Sequence, residues 1–164
     1  MKRHELSEQP LFQQLWQNAA LALQQCERQL KNRNKTDEQL RVIQYALYSI
    51  MQHPDVHTTD VQALCKKLRA KKEYDVLSFV MAWQLFNAVT DGHMQRAEEL
   101  MNDYNSQIRT YCAPEYQAFF LLNINLYQDK KGNFEAILDN ALKCKALLGD
   151  LNTDNPWHTA MWCL

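Results

Sequence analysis

Glycine is nearly missing from this chain: three residues, Gly92, Gly132 and Gly149, in a length of 164. Glycines so far apart cannot build the loop that cradles a phosphate between a strand and a helix, which excludes nucleotide binding of that kind. Proline is almost as rare, with four residues. Gln, Leu, Ala, Lys, Glu and Asn dominate instead, most of them residues that lose little on entering a helix, so the expected fold class is all-α. A surplus of either charge is also missing: 18 basic against 19 acidic side chains leave a formal charge of −1. No global field would then hold nucleic acid or an anionic membrane.

Long apolar runs are absent too. The greasiest window, from Val76 to Val89, is broken by Ser78, Gln84 and Asn87 and is too short to span a bilayer, and the opening "MKRHELSEQP" has no apolar stretch of the signal-peptide kind. Five cysteines (Cys26, Cys65, Cys112, Cys144, Cys163) include no close pair that could clasp a metal, and they read as reduced, buried thiols. The expectation is a cytoplasmic protein without cofactor, metal or membrane contact. His53 and His57 have the i, i+4 spacing of ligands, but Pro54 stands between them and the region reads as a turn. His93 and His158 read as cap or surface residues, and Glu98 and Glu99 as solvation of a helix face. No strand-turn-helix segment presents a nucleophile, so no enzyme is expected in this chain.

What is present is helical periodicity. From Pro10 to Lys31, Phe12, Trp16, Ala19, Leu23, Cys26 and Leu30 fall on one face of a long amphipathic helix. Thr36 with Gln39 three residues on predicts a capping box for a second helix carrying Leu40, Ile43, Leu47 and Ile50, which ends at "QHPD". A third carries Val61, Leu64, Cys65 and Leu68, a fourth runs from about Glu73 to Val89, and a fifth from His93 carries Met94, Ala97, Leu100, Met101, Tyr104 and Ile108. "APEYQAFFLLNINLYQ" and "FEAILDNALKCKALLG" then repeat the long-helix, turn, helix sequence. Glu73 and Glu115, like Pro114 and Pro156, stand 42 residues apart, and Gly92 and Gly132 stand 40 apart. A period of that size made of two antiparallel helices predicts an α-solenoid.

"TDGHMQRAEELM" and "KKGNFEAILDNAL" each set a turn glycine before an amphipathic helix, with a small residue, Ala97 or Ala136, near its start. "NPW" places a proline before an aromatic. On these residues the chain resembles the tetratricopeptide repeat over roughly positions 37 to 164, with a period longer than that family's usual ~34 and with Leu85 and Asn125 where small residues are usual. Longer repeats of this kind are similar to the cytoplasmic regions placed before diguanylate cyclase domains in bacterial regulators. No GG-[DE]-EF-like stretch occurs here, so no residue of a cyclase is carried over.

The resemblance implies one helical-repeat domain over 1–164: an amphipathic helix within 1–35 that caps or dimerises, then about three hairpins over 36–164 with the last helix cut short. Trp83, Asn87, Asn123 and Tyr127 lie on first helices of successive hairpins, the face that lines the concave groove of such stacks, and form the candidate partner-binding set. Each asparagine taken singly reads as an amide satisfied by a neighbouring helix. Phe12, Trp16, Leu23 and Leu30 form the candidate dimer or packing seam, and Trp157 and Trp162 the candidate interface of the truncated repeat. The function expected is a protein-interaction or signal-sensing module of a longer regulator, taking a protein, a peptide, a second copy or a small-molecule signal. Two alternatives stand beside it: a structural dimerisation domain, and a nucleic-acid surface at Lys66, Lys67, Arg69, Lys71 and Lys72, a cluster read in the first place as cations gathered at a helix C-terminus.

Overall fold

The computed structural model describes residues 18–30 and 58–149 and, between them, Thr36, Gln39, Val42, Ile43, Ala46, Leu47 and Ile50. Phe12, Trp16, Leu40, His53, His57, Trp157, His158 and Trp162 lie outside the described residues. Among the described residues six α-helices have both ends placed, in order: α1 (Ala19–Leu30), α2 (Thr58–Ala70), α3 (Tyr74–Thr90), α4 (Met94–Asp103), α5 (Pro114–Lys130) and α6 (Phe134–Leu148). Among the described residues there is no strand, and the all-α class expected from composition is the one observed. The chain divides into two compact units, 1–67 and 68–164.

In the first unit, α1 starts later than the periodicity predicts. Asn18 stays outside the helix, and its side-chain oxygen accepts the Leu21 amide at 3.0 Å, so it caps a helix whose apolar stripe would otherwise run straight through. Ala19, Ala22, Leu23, Cys26 and Leu30 are buried. The capping box forms with both of its bonds: Thr36 Oγ1 accepts the Gln39 amide at 3.2 Å, and Gln39 Oε1 accepts the Thr36 amide at 3.0 Å. Val42, Ile43, Ala46, Leu47 and Ile50 are helical and buried. On α2, Val61 and Leu64 are buried, while Lys67 reaches the Glu27 carboxylate of α1 at 2.7 Å.

The second unit is built on one turn used three times. After α2, α3 and α5 the chain closes an amide-to-carbonyl bond five residues back, from Glu73 to Leu68, His93 to Ala88 and Asn133 to Gln128, at 3.0, 2.7 and 2.9 Å. The residue before each donor has positive φ: Lys72 at 60°, Gly92 at 78° and Gly132 at 69°. This is the Schellman arrangement, which satisfies end carbonyls and reverses the chain into the next helix. Between α4 and α5 the connection differs. A π-helical turn (Tyr104–Ile108) and a 3-10 turn (Arg109–Tyr111) follow α4, and the Ser106 hydroxyl donates to the Asn102 carbonyl one turn back at 2.7 Å. Ala113 is extended at ψ 152°, as a residue before proline must be, and Pro114 opens α5.

α3 packs against both α4 and α5, and α5 packs against α6. Contacts from α3 to the α5 region ascend together: Tyr74 and Asp75 meet Cys112 and Ala113, Ser78 meets Tyr116, and Phe79 meets Phe119. The two helices therefore run parallel. Enclosure on several sides explains why α3 is apolar nearly all round, with Val76 to Ala82 buried without a break.

Candidate functional site

Trp83 sits half-buried on α3 among aromatic rings. Its centroid lies 5.4 Å from Phe86, 5.8 Å from Phe119 and 6.2 Å from Phe79, and Phe79 stacks on Phe119 at 5.3 Å. Such edge and tilted contacts match the quadrupoles of the rings and hold the cluster in one arrangement. The offset of 40 that pairs Phe79 with Phe119 brings Phe86 level with Leu126, which is exposed. Half-buried Trp83 and Phe86, half-buried Leu122 and exposed Leu126 thus form a partly uncovered apolar face on the α3 and α5 pair.

Of the other three residues expected in the groove, Asn123 and Tyr127 take partners elsewhere. Asn123 is buried, and its amide nitrogen donates to the Phe119 carbonyl one turn back at 2.8 Å, which satisfies it within its own helix. Tyr127 shares a stripe of α5 with Phe120, and the stripe faces α4 and the π turn after it: Phe120 stacks on Tyr104 of that turn, and the Tyr127 hydroxyl donates to Glu98 Oε1 of α4. That carboxylate, by accepting the proton, raises the Tyr127 phenol above its ordinary range. Lys131 stands 3.7 Å from Glu98 and over the Tyr127 ring. Asn87 is half-buried on α3, one turn beyond Trp83. Trp83 accordingly meets Phe119, a residue the sequence pattern did not single out, whereas Asn123 and Tyr127 turn to other partners. Leu23 and Leu30, expected on a dimer or packing seam, are both buried.

The basic cluster ends α2. Arg69 forks onto Asp103 through two bonds of 3.2 and 2.5 Å and reaches Gln107 Oε1 at 2.8 Å; with Lys67 held by Glu27, two of its five cations are engaged. Lys66, Lys71 and Lys72 are exposed near the helix end, where cations offset the dipole.

A polar cluster that sequence reasoning missed lies where α3, the π turn and α5 converge. Asp75 accepts the Ala113 amide at 2.8 Å and so caps α5 from a neighbouring helix. Ser78 donates to the Tyr116 carbonyl at 3.3 Å, and the Cys112 thiol donates to the Tyr74 and Ile108 carbonyls. The Tyr104 hydroxyl is buried beside Ser78 without closing a hydrogen bond. Burial pushes the Cys112 thiol up to about 11, and likewise Cys144 to about 11 and Cys26 to about 12, so all three stay protonated and un-nucleophilic at neutral pH. The cluster ties elements together and offers no general base to Ser78. Among the described residues no three His, Cys, Asp or Glu side chains converge as metal ligands would.

The second feature missed lies on α6. Phe134, Leu138 and Leu142 follow each other at steps of four and are 70 %, 64 % and 59 % exposed, opposite the buried Asn140 and Cys144. Their spacing was available in the sequence. Set against known proteins, the chain matches no protein-family model, no curated protein and no solved structure.

Proposed function

We propose that the chain is a non-enzymatic interaction module, stacked from helical hairpins in the tetratricopeptide manner, that holds an apolar peptide or partner helix and serves a cytosolic bacterial regulator. The partly uncovered aromatic face carries this reading: Trp83 and Phe86 of α3 stand beside Phe119, with Leu126 level with Phe86 on the parallel helix α5. Large rigid rings left partly wet, on a scaffold that fixes their edges, are what apolar anchors of a bound helix insert against. The recurrence of one turn at residues 72, 92 and 132 supports the stack of hairpins. The low-reactivity thiols support a binding role over covalent chemistry.

Selection of peptides from a random library on the full chain, followed by NMR titration of a selected peptide, tests the reading. Shifts concentrated at residues 79–86 and 119–126, together with loss of binding in Leu126→Glu, are expected. Shifts centred elsewhere, or binding unchanged by Leu126→Glu, would refute it. Leu126 is already exposed, so that variant keeps the fold.

A further inference from the structure

The proposed helix-binding face on α3 and α5, on which this inference rests, is closed at its two ends by opposite charges. The offset of 40 that pairs Phe79 with Phe119 and sets Phe86 level with Leu126 extends one turn each way. Before the apolar residues it sets Asp75 level with Glu115; after them it sets Thr90 level with Lys130. Glu115 lies close enough to Asp75 to help raise that carboxyl, and Glu73 acts on it in the same sense, so this end of the face is acidic. Asp75 is committed to the Ala113 amide, but half-buried Glu115 closes no side-chain hydrogen bond or ion pair with any described residue, and neither does exposed Lys130.

The other charges near Lys130 are turned aside. Lys131 is held by Glu98, Asp129 stands one turn beyond Asn125 on the side of α5 that meets Asn140 of α6, and Asp91 follows the last turn of α3. Lys130, one turn beyond Leu126, is the charge in line with the apolar row. From Glu115 to Lys130 the row covers about 22 Å at ~1.5 Å per residue, the length of a partner helix of about four turns. Helices of that kind are stabilised by acids in the first turn and bases in the last. Laid antiparallel to α3 and α5, such a helix sets its last-turn bases against Asp75 and Glu115 and its first-turn acids against Lys130, and its macrodipole opposes those of the two parallel host helices. Laid parallel, it sets acid against acid and base against base. We infer that the Trp83 face binds an amphipathic helix of about four turns in one direction only, antiparallel to α3 and α5, with Glu115 and Lys130 selecting the charges at its ends. Both stand at the rim, so they fix direction while the rings supply most of the affinity.

The probe is a synthetic peptide of about 16 residues with leucines at i, i+4, i+7 and i+11, glutamates in its first turn and arginines in its last, titrated into the full chain. A nitroxide at the peptide's N-terminus is expected to broaden the NMR resonances of residues 126–131, and one at its C-terminus those of residues 111–116. By fluorescence anisotropy at low salt, Glu115→Gln and Lys130→Gln are each expected to weaken binding about two- to fivefold, and the difference fades at high salt. Circular dichroism confirms that each variant remains helical. Three results overturn the inference: labels that broaden the opposite ends, labels that broaden both ends alike, and an affinity indifferent to both substitutions. If the peptide in those cases still shifts residues 79–86 and 119–126, the helix-binding face stands and only its directionality falls; a peptide that shifts none of these resonances refutes both.

Discussion

The ring of Tyr104 lies flat on that of Phe120, with centroids 3.6 Å apart and planes 7° from parallel, joining the π turn that follows α4 to the middle of α5. Both side chains are essentially inaccessible to solvent. Their contributions separate cleanly, because the Tyr104 hydroxyl is buried without a hydrogen bond while its ring carries the packing. Phe120→Ala removes the stack and leaves a cavity, at a cost of about 3–5 kcal/mol. Tyr104→Phe deletes only an unsatisfied polar group and is expected to leave stability unchanged or raise it by up to about 1 kcal/mol. Urea denaturation of the two variants checks the pair; a large loss in Tyr104→Phe would show that the hydroxyl is satisfied in solution.

Lys72, Gly92 and Gly132 occupy the same left-handed position of the same turn, but only two of them are glycine. A Cβ at Gly92 or Gly132 meets nothing within 4 Å, so substitution there costs backbone strain alone. Gly92→Ala and Gly132→Ala are each expected to cost about 1 kcal/mol, and Lys72→Gly to gain about 0.5 kcal/mol once the greater freedom of glycine in the unfolded chain is subtracted. For a chain of this length that means a melting temperature lower by about 2–4 °C in the two alanine variants and higher by about 1–2 °C in Lys72→Gly. A fall in Lys72→Gly would mean that the lysine side chain contributes more at this turn than its backbone costs.

Asp75 caps α5 while half-buried, and burial raises its carboxyl above the ordinary value, with the Ala113 amide opposing and Glu115 and Glu73 reinforcing the shift. The folded chain thus holds the proton to higher pH than the unfolded chain does. The group's stabilising contribution is complete below its unfolded pKa and is lost as pH rises through the raised folded value. Asp75→Asn keeps an oxygen to accept the Ala113 amide but does not titrate. Urea midpoints measured from about pH 3 to pH 7 should therefore show wild type declining relative to Asp75→Asn across that window. A constant difference between the two proteins would rule out the proposed titration.

Much of the fold was legible where local chemistry marks a boundary. The glycines at 92 and 132, the proline at 114 and the pair Thr36 and Gln39 each set a helix end by a backbone preference or a side-chain bond that acts within a few residues. The turn at Lys72 was not marked, because a lysine occupies the position that glycine would announce. Nor was the π turn, since Tyr104 and Ile108 are buried at a spacing that an α-helix would also give. At the expected groove, the sequence marked positions and not partners: Trp83 was singled out by its place on a first helix, whereas the rotamer that folds Asn123 back onto the Phe119 carbonyl, and the reach of Tyr127 to Glu98, depend on neighbours no local pattern encodes. On α6 the buried stripe masked the exposed one, because the two together leave few polar positions to define a period.

Asn125 stands where the resemblance predicts a small residue at the contact between paired helices, and Asn140 of α6 answers it with an amide-to-carbonyl bond of 3.0 Å. Asn140 is buried and Asn125 half-buried, so each partner depends on the other for satisfaction across the α5–α6 interface. Replacing one alone leaves an amide facing an apolar wall: Asn140→Leu or Asn125→Leu should each cost about 1–3 kcal/mol. Replacing both removes the polar requirement altogether, and the double variant should be less destabilised than the sum of the singles by about 1–2 kcal/mol. The double variant also tests what the pair specifies. An apolar contact lets α5 and α6 slide where the hydrogen bond fixes a single register, so broadened NMR resonances confined to the two helices are expected alongside the recovered stability. Additive losses in the double-mutant cycle would instead show that water satisfies both amides and that the bond contributes nothing to the hairpin.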